Sequence, residues 1–424
     1  MAIERTEFSS GLRVVTERMP SVRSVSLGFW VLAGSRDERR NISGSSHFLE
    51  HLLFKGTERR SAQDIAESFD AVGGDVNAFT AREYTCFYAR VLDGDLEMAV
   101  DHLADMVQHS VIRSADLDAE RQVILEEILM HEDSPEDVVH DLYTQTLWPD
   151  HPLGRPILGT VDTVGSAARA SVRRFYARHY VPGNLVIAAA GNLRHDDLVD
   201  MVRARMDVGR RLGPRSTSVW NLRAPGRSPK PSGKHLVKRR KTEQAHICLG
   251  TNGLSRNDPD RFAFLIVNTA LGGGMSSRLF QEIRERRGLA YTVYSYHAQY
   301  TEAGLFSAYA GTTPSRAVDV VSLLGRELEA VRDGGLDDEE FERARGHVKG
   351  SLVLSLEDPG GRMSRLGKSE IAHGEILTVD QSLRRIDRVT LDDARRVAHR
   401  VLSQPMTLTV LGPLGASAFR GVMP

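Results

Sequence analysis

Two kinds of hydrophobic pattern follow one another along this chain. Residues 24–31 and 244–250 alternate apolar and polar positions, a period of two that predicts half-buried β-strands. Residues 46–54 and 117–128 instead read as helices. Because strand and helix patterns are mixed, with short hairpin-like spacings, the sequence predicts an α+β fold with mostly antiparallel sheets packed against helices.

The patterns of the first half recur in the same order in the second half, which indicates an internal duplication. The matching pairs are 24–31 with 244–250, 85–91 with 304–310, 94–109 with 314–331, and 117–120 with 336–339. Between the halves, residues 213–234 are rich in Pro, Gly, Ser and Arg, a composition typical of an exposed linker. We therefore predict two homologous domains, 1–212 and 235–424.

The segment from His47 to His51 reads H-x-x-E-H, with Glu50 as its acidic residue. On a helix the two imidazoles lie one turn apart on the same face, so both can reach one metal ion. Neutral imidazoles suit Zn²⁺, and a neighbouring carboxylate can take a proton from a zinc-bound water. The alternative is a surface helix with two unrelated histidines.

Catalytic zinc sites use three protein ligands, so a carboxylate should complete the set. In the helix predicted over 117–128, Glu120 and Glu127 are two turns apart and share a face, whereas Glu126 points elsewhere. His131, one turn after Glu127, is a rival ligand. We expect Val123, Ile124, Leu125 and Ile128 to form the apolar side of this helix.

These residues resemble the zinc peptidases related to mitochondrial processing peptidase and pitrilysin, in which a glutamate ligand follows H-x-x-E-H after about 75 residues. The resemblance implies that Glu127 is the third ligand, that Glu120 supports the ligands from behind, and that Glu50 is the catalytic base. It also implies two halves that each pack helices on a β-sheet. Further similar segments extend it over nearly the whole chain: 12–15, 34–38, 73–80, 180–185, 276–280 and 288–291.

The second half has no counterpart of the predicted zinc ligands. Residues 262–274 contain neither His nor Glu, and Gly346 aligns with Glu127. This half is therefore expected to bind and enclose substrate. The resemblance implies that Arg284 and Tyr291 help to hold the peptide, since Arg can grip a carbonyl and a Tyr hydroxyl can donate to an oxyanion. The alternative is a basic helix end capped by Gly288.

Two further segments are candidates for substrate contact. The resemblance makes 73–80 a substrate-edge strand, where a peptide can add by backbone hydrogen bonds. Small Ala78 would allow close approach and Asn77 could anchor the peptide, although Gly73 and Gly74 also favour a simple turn. The resemblance also implies that the glycines at 272–274 contact substrate, and the alternative is a mobile turn.

Composition limits the other possibilities. A net charge of −1 gives no reason to expect nucleic acid, and no stretch is long and apolar enough for a membrane span. Cys86 and Cys248 lie in apolar, strand-like runs and are expected to be core residues. The first residues lack the pattern of a signal or transit peptide. We expect a cytoplasmic, bacterial protein.

The sequence thus predicts an endopeptidase with one Zn²⁺ per chain, acting on short or unfolded peptides. By resemblance, two chains would form a homodimer that encloses a chamber. One alternative is a non-catalytic interaction protein, like the respiratory-complex core subunits of this fold, whose ligands tend to be degraded. Another is a small-molecule lyase like the quorum-signal precursor lyase, but that enzyme uses a Cys ligand and neither cysteine occupies the position of Glu127.

Overall fold

The computed structural model describes residues 3–208 and 226–422. Of the predicted linker, 213–225 lies outside the described residues, and 226–234 forms neither helix nor strand. The strands are β1 (Ile3–Glu7), β2 (Arg13–Arg18), β3 (Ser24–Val31), β4 (Asp75–Thr80), β5 (Thr85–Leu92), β6 (Leu185–Gly191), β7 (His235–Arg239), β8 (Ala245–Gly253), β9 (Ala290–Gln299), β10 (Gly304–Thr312) and β11 (Thr407–Gly412).

The helices between these strands include both helices that were predicted to carry the metal ligands. They are α1 (Ser45–Leu53), α2 (Ala62–Asp70), α3 (Leu96–His109), α4 (Ser114–Glu132), α5 (Pro135–Leu147), α6 (Val161–Gly165), α7 (Arg169–His179), α8 (His195–Arg205), α9 (Arg261–Gly272), α10 (Ala317–Gly334), α11 (Asp338–Leu354), α12 (Pro359–Lys368), α13 (Val379–Asp387) and α14 (Leu391–Leu402).

The first compact unit comprises described residues 3–129, 155–208 and 354–378. Its sheet has the order β1-β2-β6-β3-β5-β4, in which β2 and β6 are parallel and the other neighbours antiparallel. One face packs against α1 and α3 around buried Phe29, Leu49 and Phe87. Strand β4 lies at the edge of this sheet, directly beside α1.

The opposite face of this sheet is covered by α12, which comes from the second half of the sequence. Met363 and Leu366 of α12 are buried against Trp30 and its neighbours. The approach is close: a Cβ on Gly367 would lie 2.1 Å from the Trp30 ring. A larger residue at this position would therefore push the helix away from the sheet.

The second unit comprises described residues 130–154, 226–353 and 379–422. Its sheet has the order β7-β11-β8-β10-β9, with β7 and β11 parallel and the other neighbours antiparallel. This order reproduces β2-β6-β3-β5-β4 of the first sheet, with the parallel pair in the same place. The predicted α+β fold and its duplication are thereby confirmed.

The two units exchange equivalent helices. In the second unit α9, α10 and α14 pack on one face of the sheet, while α5 from the first half of the sequence covers the other. Tyr143 and Trp148 are buried there, and the Tyr143 hydroxyl donates to the Phe306 carbonyl at 2.6 Å. Helix α5 follows α4 in the first half as α12 follows α11 in the second, so the exchange is reciprocal. Each compact unit therefore differs from the predicted half, because it contains one helix from the other half of the sequence.

Cys86 and Cys248 are free thiols, both completely buried, as their apolar surroundings in the sequence suggested. Burial raises the pKa of each thiol well above its usual value. Within 3–208 and 226–422, no helix combines the length and the apolar character that crossing a bilayer requires.

Candidate metal centre

Helix α1 carries the H-x-x-E-H segment, and a carboxylate outside that helix fixes its first turn. Gly44 precedes the helix with φ of 93°, a conformation that favours glycine, and has no side chain to cap the helix. Glu38, which is buried, accepts hydrogen bonds from the backbone N–H of Gly44 at 2.8 Å and of Ser46 at 2.6 Å. A carboxylate at this end is favourable because the free N–H groups carry partial positive charge.

The structure brings His47, His51 and Glu127 together as predicted. Glu127 Oε2 lies 3.5 Å from His47 Nε2 and 3.5 Å from His51 Nε2, and the three ligand atoms lie within 4.8 Å of one another. Ligands at zinc distances in a tetrahedron are separated by about 3.3 Å, so both separations from Glu127 are close to those of a zinc site. The Glu127 side chain is 42% exposed, which leaves the site open on one side.

Glu120 lies behind His51, on the far side from the shared ligand atoms. Its Oε2 is 2.9 Å from Nδ1 of His51, while its Oε1 is 2.6 Å from Nζ of Lys55. Burial alone would lower the pKa of His51, but its hydrogen bonds with Glu127 and Glu120 raise it above the ordinary value. Sequence reasoning found Glu120 and missed Lys55.

His47 has a different environment from His51. Its side chain is buried, and among the described residues its Nδ1 has no hydrogen-bond partner. Burial lowers the pKa of His47 to about 4, opposed by the nearby Glu127 carboxylate. His47 is therefore neutral near pH 7, the form in which an imidazole binds a metal.

Glu50 lies outside the group of three ligand atoms. Its Oε2 accepts a hydrogen bond of 2.6 Å from the Thr80 hydroxyl at the end of β4. The pKa of Glu50 is raised, because burial disfavours its charged form more than the hydrogen bonds from Thr80 favour it. A half-buried carboxylate beside the ligands, with a raised pKa, is suited to accept and return a proton.

Helix α4 has the predicted register with one correction. Glu120 and Glu127 face the histidines, and Glu126 is exposed. Val123, expected on the apolar side, is instead 49% exposed, whereas Ile124 and Ile128 are buried in the core and Leu125 is partly buried against it. His131 pairs with Asp141 at 3.6 Å and is not part of the ligand group.

The two candidate residues on β4 have different surroundings. The side chain of Ala78 is buried in the core, while that of Asn77 is exposed. Asn77 Oδ1 accepts the backbone N–H of Ala78 at 2.8 Å. A peptide strand that used this N–H would have to displace the Asn77 side chain first.

Arg284 and Tyr291 lie together in the second unit. Arg284 belongs to a π-helical segment, Phe280–Glu285, a form often found at functional sites. Its guanidinium carbon is 4.6 Å from the centroid of the Tyr291 ring and 4.7 Å from that of Phe280. The Tyr291 side chain remains 75% exposed.

Apart from His47, His51 and Glu127, the described residues contain no other cluster that could hold a metal.

Comparison with family models places both halves in one family. Residues 13–161 match the model described as insulinase (peptidase family M16), and residues 166–347 match the peptidase M16 inactive domain. All four residues His47, Glu50, His51 and Glu127 lie in the first matched segment. The second segment, described as inactive, lacks these ligands in its sequence.

Relatives in several bacteria are similar over nearly their whole length. An uncharacterized zinc protease of Streptomyces coelicolor is 52% identical over 97% of this chain and 90% of its own length. One of Mycobacterium tuberculosis is 46% identical over 98% of this chain and 94% of its own length. One of Bacillus subtilis is 40% identical over 97% of this chain and 99% of its own length.

Solved structures have the same fold at low sequence identity. A peptidase M16 inactive domain from Pseudomonas fluorescens superimposes with a TM-score of 0.89 at 21% identity, covering 98% of this chain and 99% of that one. A protease from Helicobacter pylori gives 0.88 at 20% identity, covering 97% and 99%. These two matches show the same fold, and the family models and the relatives above show that the chain belongs to peptidase family M16.

Proposed function

We propose that this protein is a zinc-dependent endopeptidase. The observation that carries the proposal is the convergence of His47, His51 and Glu127 on one point, with Glu50 beside them. The donor set, two imidazoles and one carboxylate with an open side, is that of hydrolytic zinc sites. The relatives named zinc proteases support the same metal and reaction.

In this proposal the chain's own residues handle the proton. Zn²⁺, when bound, supplies Lewis acidity that polarises the scissile carbonyl and lowers the pKa of a water. Glu50 accepts the proton of the attacking water and later returns it to the leaving amine. Glu120 holds the His51 ring so that Nε2 stays directed at the metal position.

The proposed substrate is a short or unfolded peptide bound as an added strand. Strand β4 is the edge of its sheet and ends at Thr80, whose hydroxyl contacts Glu50. Backbone pairing along Asn77 and Ala78 would bring a peptide beside the ligands without regard to its sequence. Because the Ala78 side chain is buried, Ala78 would bind the peptide through its backbone.

We further propose that two chains form a homodimer around a closed chamber. The support is the resemblance to the processing peptidase pair, together with a second half that carries Arg284 and Tyr291 but no ligand set among the described residues. Arg284 would grip a peptide carbonyl, and the exposed Tyr291 hydroxyl would donate to the developing oxyanion. A cytoplasmic location stays a prediction.

Cleavage of casein and of a labelled peptide mixture tests the proposal. The purified chain should cleave both, lose activity with a chelator, and regain it with Zn²⁺. Mass spectrometry of the products would give the cleavage preference. A chain that binds one zinc per molecule yet cuts no peptide would favour the non-catalytic interaction protein instead.

A further inference from the structure

Thr80 joins the edge strand to the proposed base. It is the last residue of β4, and its hydroxyl donates to Glu50 Oε2 at 2.6 Å. One oxygen of a half-buried carboxylate is thus held by this short hydrogen bond.

We propose that Thr80 is a positioning residue for the reaction: its hydroxyl fixes the carboxylate of Glu50 so that the other oxygen, Oε1, faces the attacking water. The inference rests on the proposed peptidase function and adds a residue to it. Glu50 is on α1 and Thr80 on β4, so the hydrogen bond ties the helix that carries the base to the strand expected to receive the peptide.

The orientation of its carboxylate determines whether Glu50 can act as a base. A base acts only when its free oxygen lies within hydrogen-bond reach of the proton that it takes. Without the hydroxyl, Glu50 Oε2 would compete for the same water and the carboxylate could rotate. A hydrogen bond to a charged group in such a site contributes enough to change a rate by about 10-fold or more.

The step affected should be turnover rather than binding or metal loading. The Thr80 hydroxyl contacts Glu50, and the three ligand atoms belong to other residues. The backbone of β4 is unchanged by a side-chain substitution. Loss of the hydroxyl should therefore lower kcat, leave KM within about twofold, and leave zinc stoichiometry at one per chain.

The experiment compares Thr80→Val with Thr80→Ser in the full-length, zinc-loaded protein. Val keeps the shape of the side chain but lacks the hydroxyl, whereas Ser keeps the hydroxyl. The matched control is Thr85→Val, which makes the same chemical change at the residue paired with Thr80 across the hairpin. The Thr85 hydroxyl donates to the Ala33 carbonyl at 3.0 Å, so this control reports any general effect on the sheet.

We expect kcat to fall at least about 10-fold in Thr80→Val and to stay near wild type in Thr80→Ser and in folded Thr85→Val. An unchanged kcat in Thr80→Val, an equal loss in Thr80→Ser or Thr85→Val, or loss of zinc would overturn the proposal. Crystal structures of zinc-loaded wild type and Thr80→Val give a reading that needs no turnover. The Glu50 carboxylate should lose its fixed orientation only in the variant, and an unmoved carboxylate would contradict the inference even if the wild type proved inactive.

Discussion

Glu120 contacts His51 through Nδ1, the ring nitrogen opposite the one that faces Glu127. The distance of 2.9 Å and the burial of Glu120 make this an oriented hydrogen bond rather than a surface ion pair. Lys55 holds the other oxygen of the same carboxylate. A histidine whose far nitrogen donates to a carboxylate keeps its near nitrogen free for a metal.

Glu120→Gln should therefore weaken zinc binding without removing a ligand. Loss of such a supporting carboxylate costs about 10–100-fold in metal affinity, and that range is expected here. Competition with a chromophoric chelator would measure it. Asp118→Asn is the control on the same helix, since Asp118 is exposed and pairs with Arg121 at the surface. Equal affinities for wild type and Glu120→Gln would show that the contact does not support the metal.

Glu127→Gln should lose both zinc and peptidase activity, because it replaces a charged ligand with a neutral amide at the most open position of the site. Glu126→Gln should retain both, since Glu126 is exposed and faces away from the histidines. Zinc content after dialysis, measured by mass spectrometry, distinguishes the two. Loss of zinc from the Glu126 variant instead would mean that α4 has a different register in solution.

Glu50→Gln should keep zinc near one per chain and lose turnover. The substitution removes the proton acceptor but none of the three ligand atoms. Removal of a general base costs about 10²–10⁴-fold in rate. Activity near that of wild type, at equal zinc content, would exclude Glu50 as the base.

Glu38 gives a pH dependence of stability whose sign is fixed. Burial raises the pKa of Glu38 from 4.5 to about 7, despite hydrogen bonds from Ser46 and Gly44. A carboxyl with a raised pKa contributes stability that is fully present below pH 4.5 and is lost as pH rises through about 7. The Glu38→Gln variant lacks this titration. The free energy of unfolding of the variant, minus that of wild type, should therefore increase between pH 4.5 and about pH 7 and then level off.

The total change should be at most about 3 kcal/mol, from a shift of about 2.5 pH units. Urea unfolding of both metal-free proteins at several pH values measures it, and the metal ligands, common to both proteins, cancel in the difference. A difference that stays constant between pH 4.5 and pH 8 would mean that Glu38 is ionised throughout.

The metal ligands could be predicted because they depend on local periodicity. His47 and His51 are one turn apart, and Glu120 and Glu127 are two turns apart, so helical geometry alone places each pair on a face. The contact between α1 and α4 joins residues far apart in sequence, and only the resemblance predicted it. The α+β duplication was predictable for a similar reason. The alternating pattern of β3 recurs in β8, and the patterns that follow come in the same order in both halves.

The contacts that support the ligands could not be predicted in this way. Lys55 meets Glu120 and Thr80 meets Glu50 across large separations in sequence, and no local period marks such pairs. Glu38 caps α1 although it lies several residues before the helix. A capping side chain is normally expected on the residue that directly precedes a helix. The exchange of α5 and α12 was also missed, because an apolar helix face does not specify which of two similar sheets it will cover.

The proposed homodimer makes a prediction about two inactive variants. If Arg284 of one chain serves the zinc site of the other, Glu50→Gln and Arg284→Ala should each be inactive as homodimers but should complement each other when mixed. One site of the mixed dimer would combine both lesions, and the other would have intact Glu50 facing intact Arg284. Mixed dimers purified through two different tags should therefore recover activity toward half of wild type. Mixed dimers that stay inactive would mean that each chain supplies its own Arg284 or that the residue is not required.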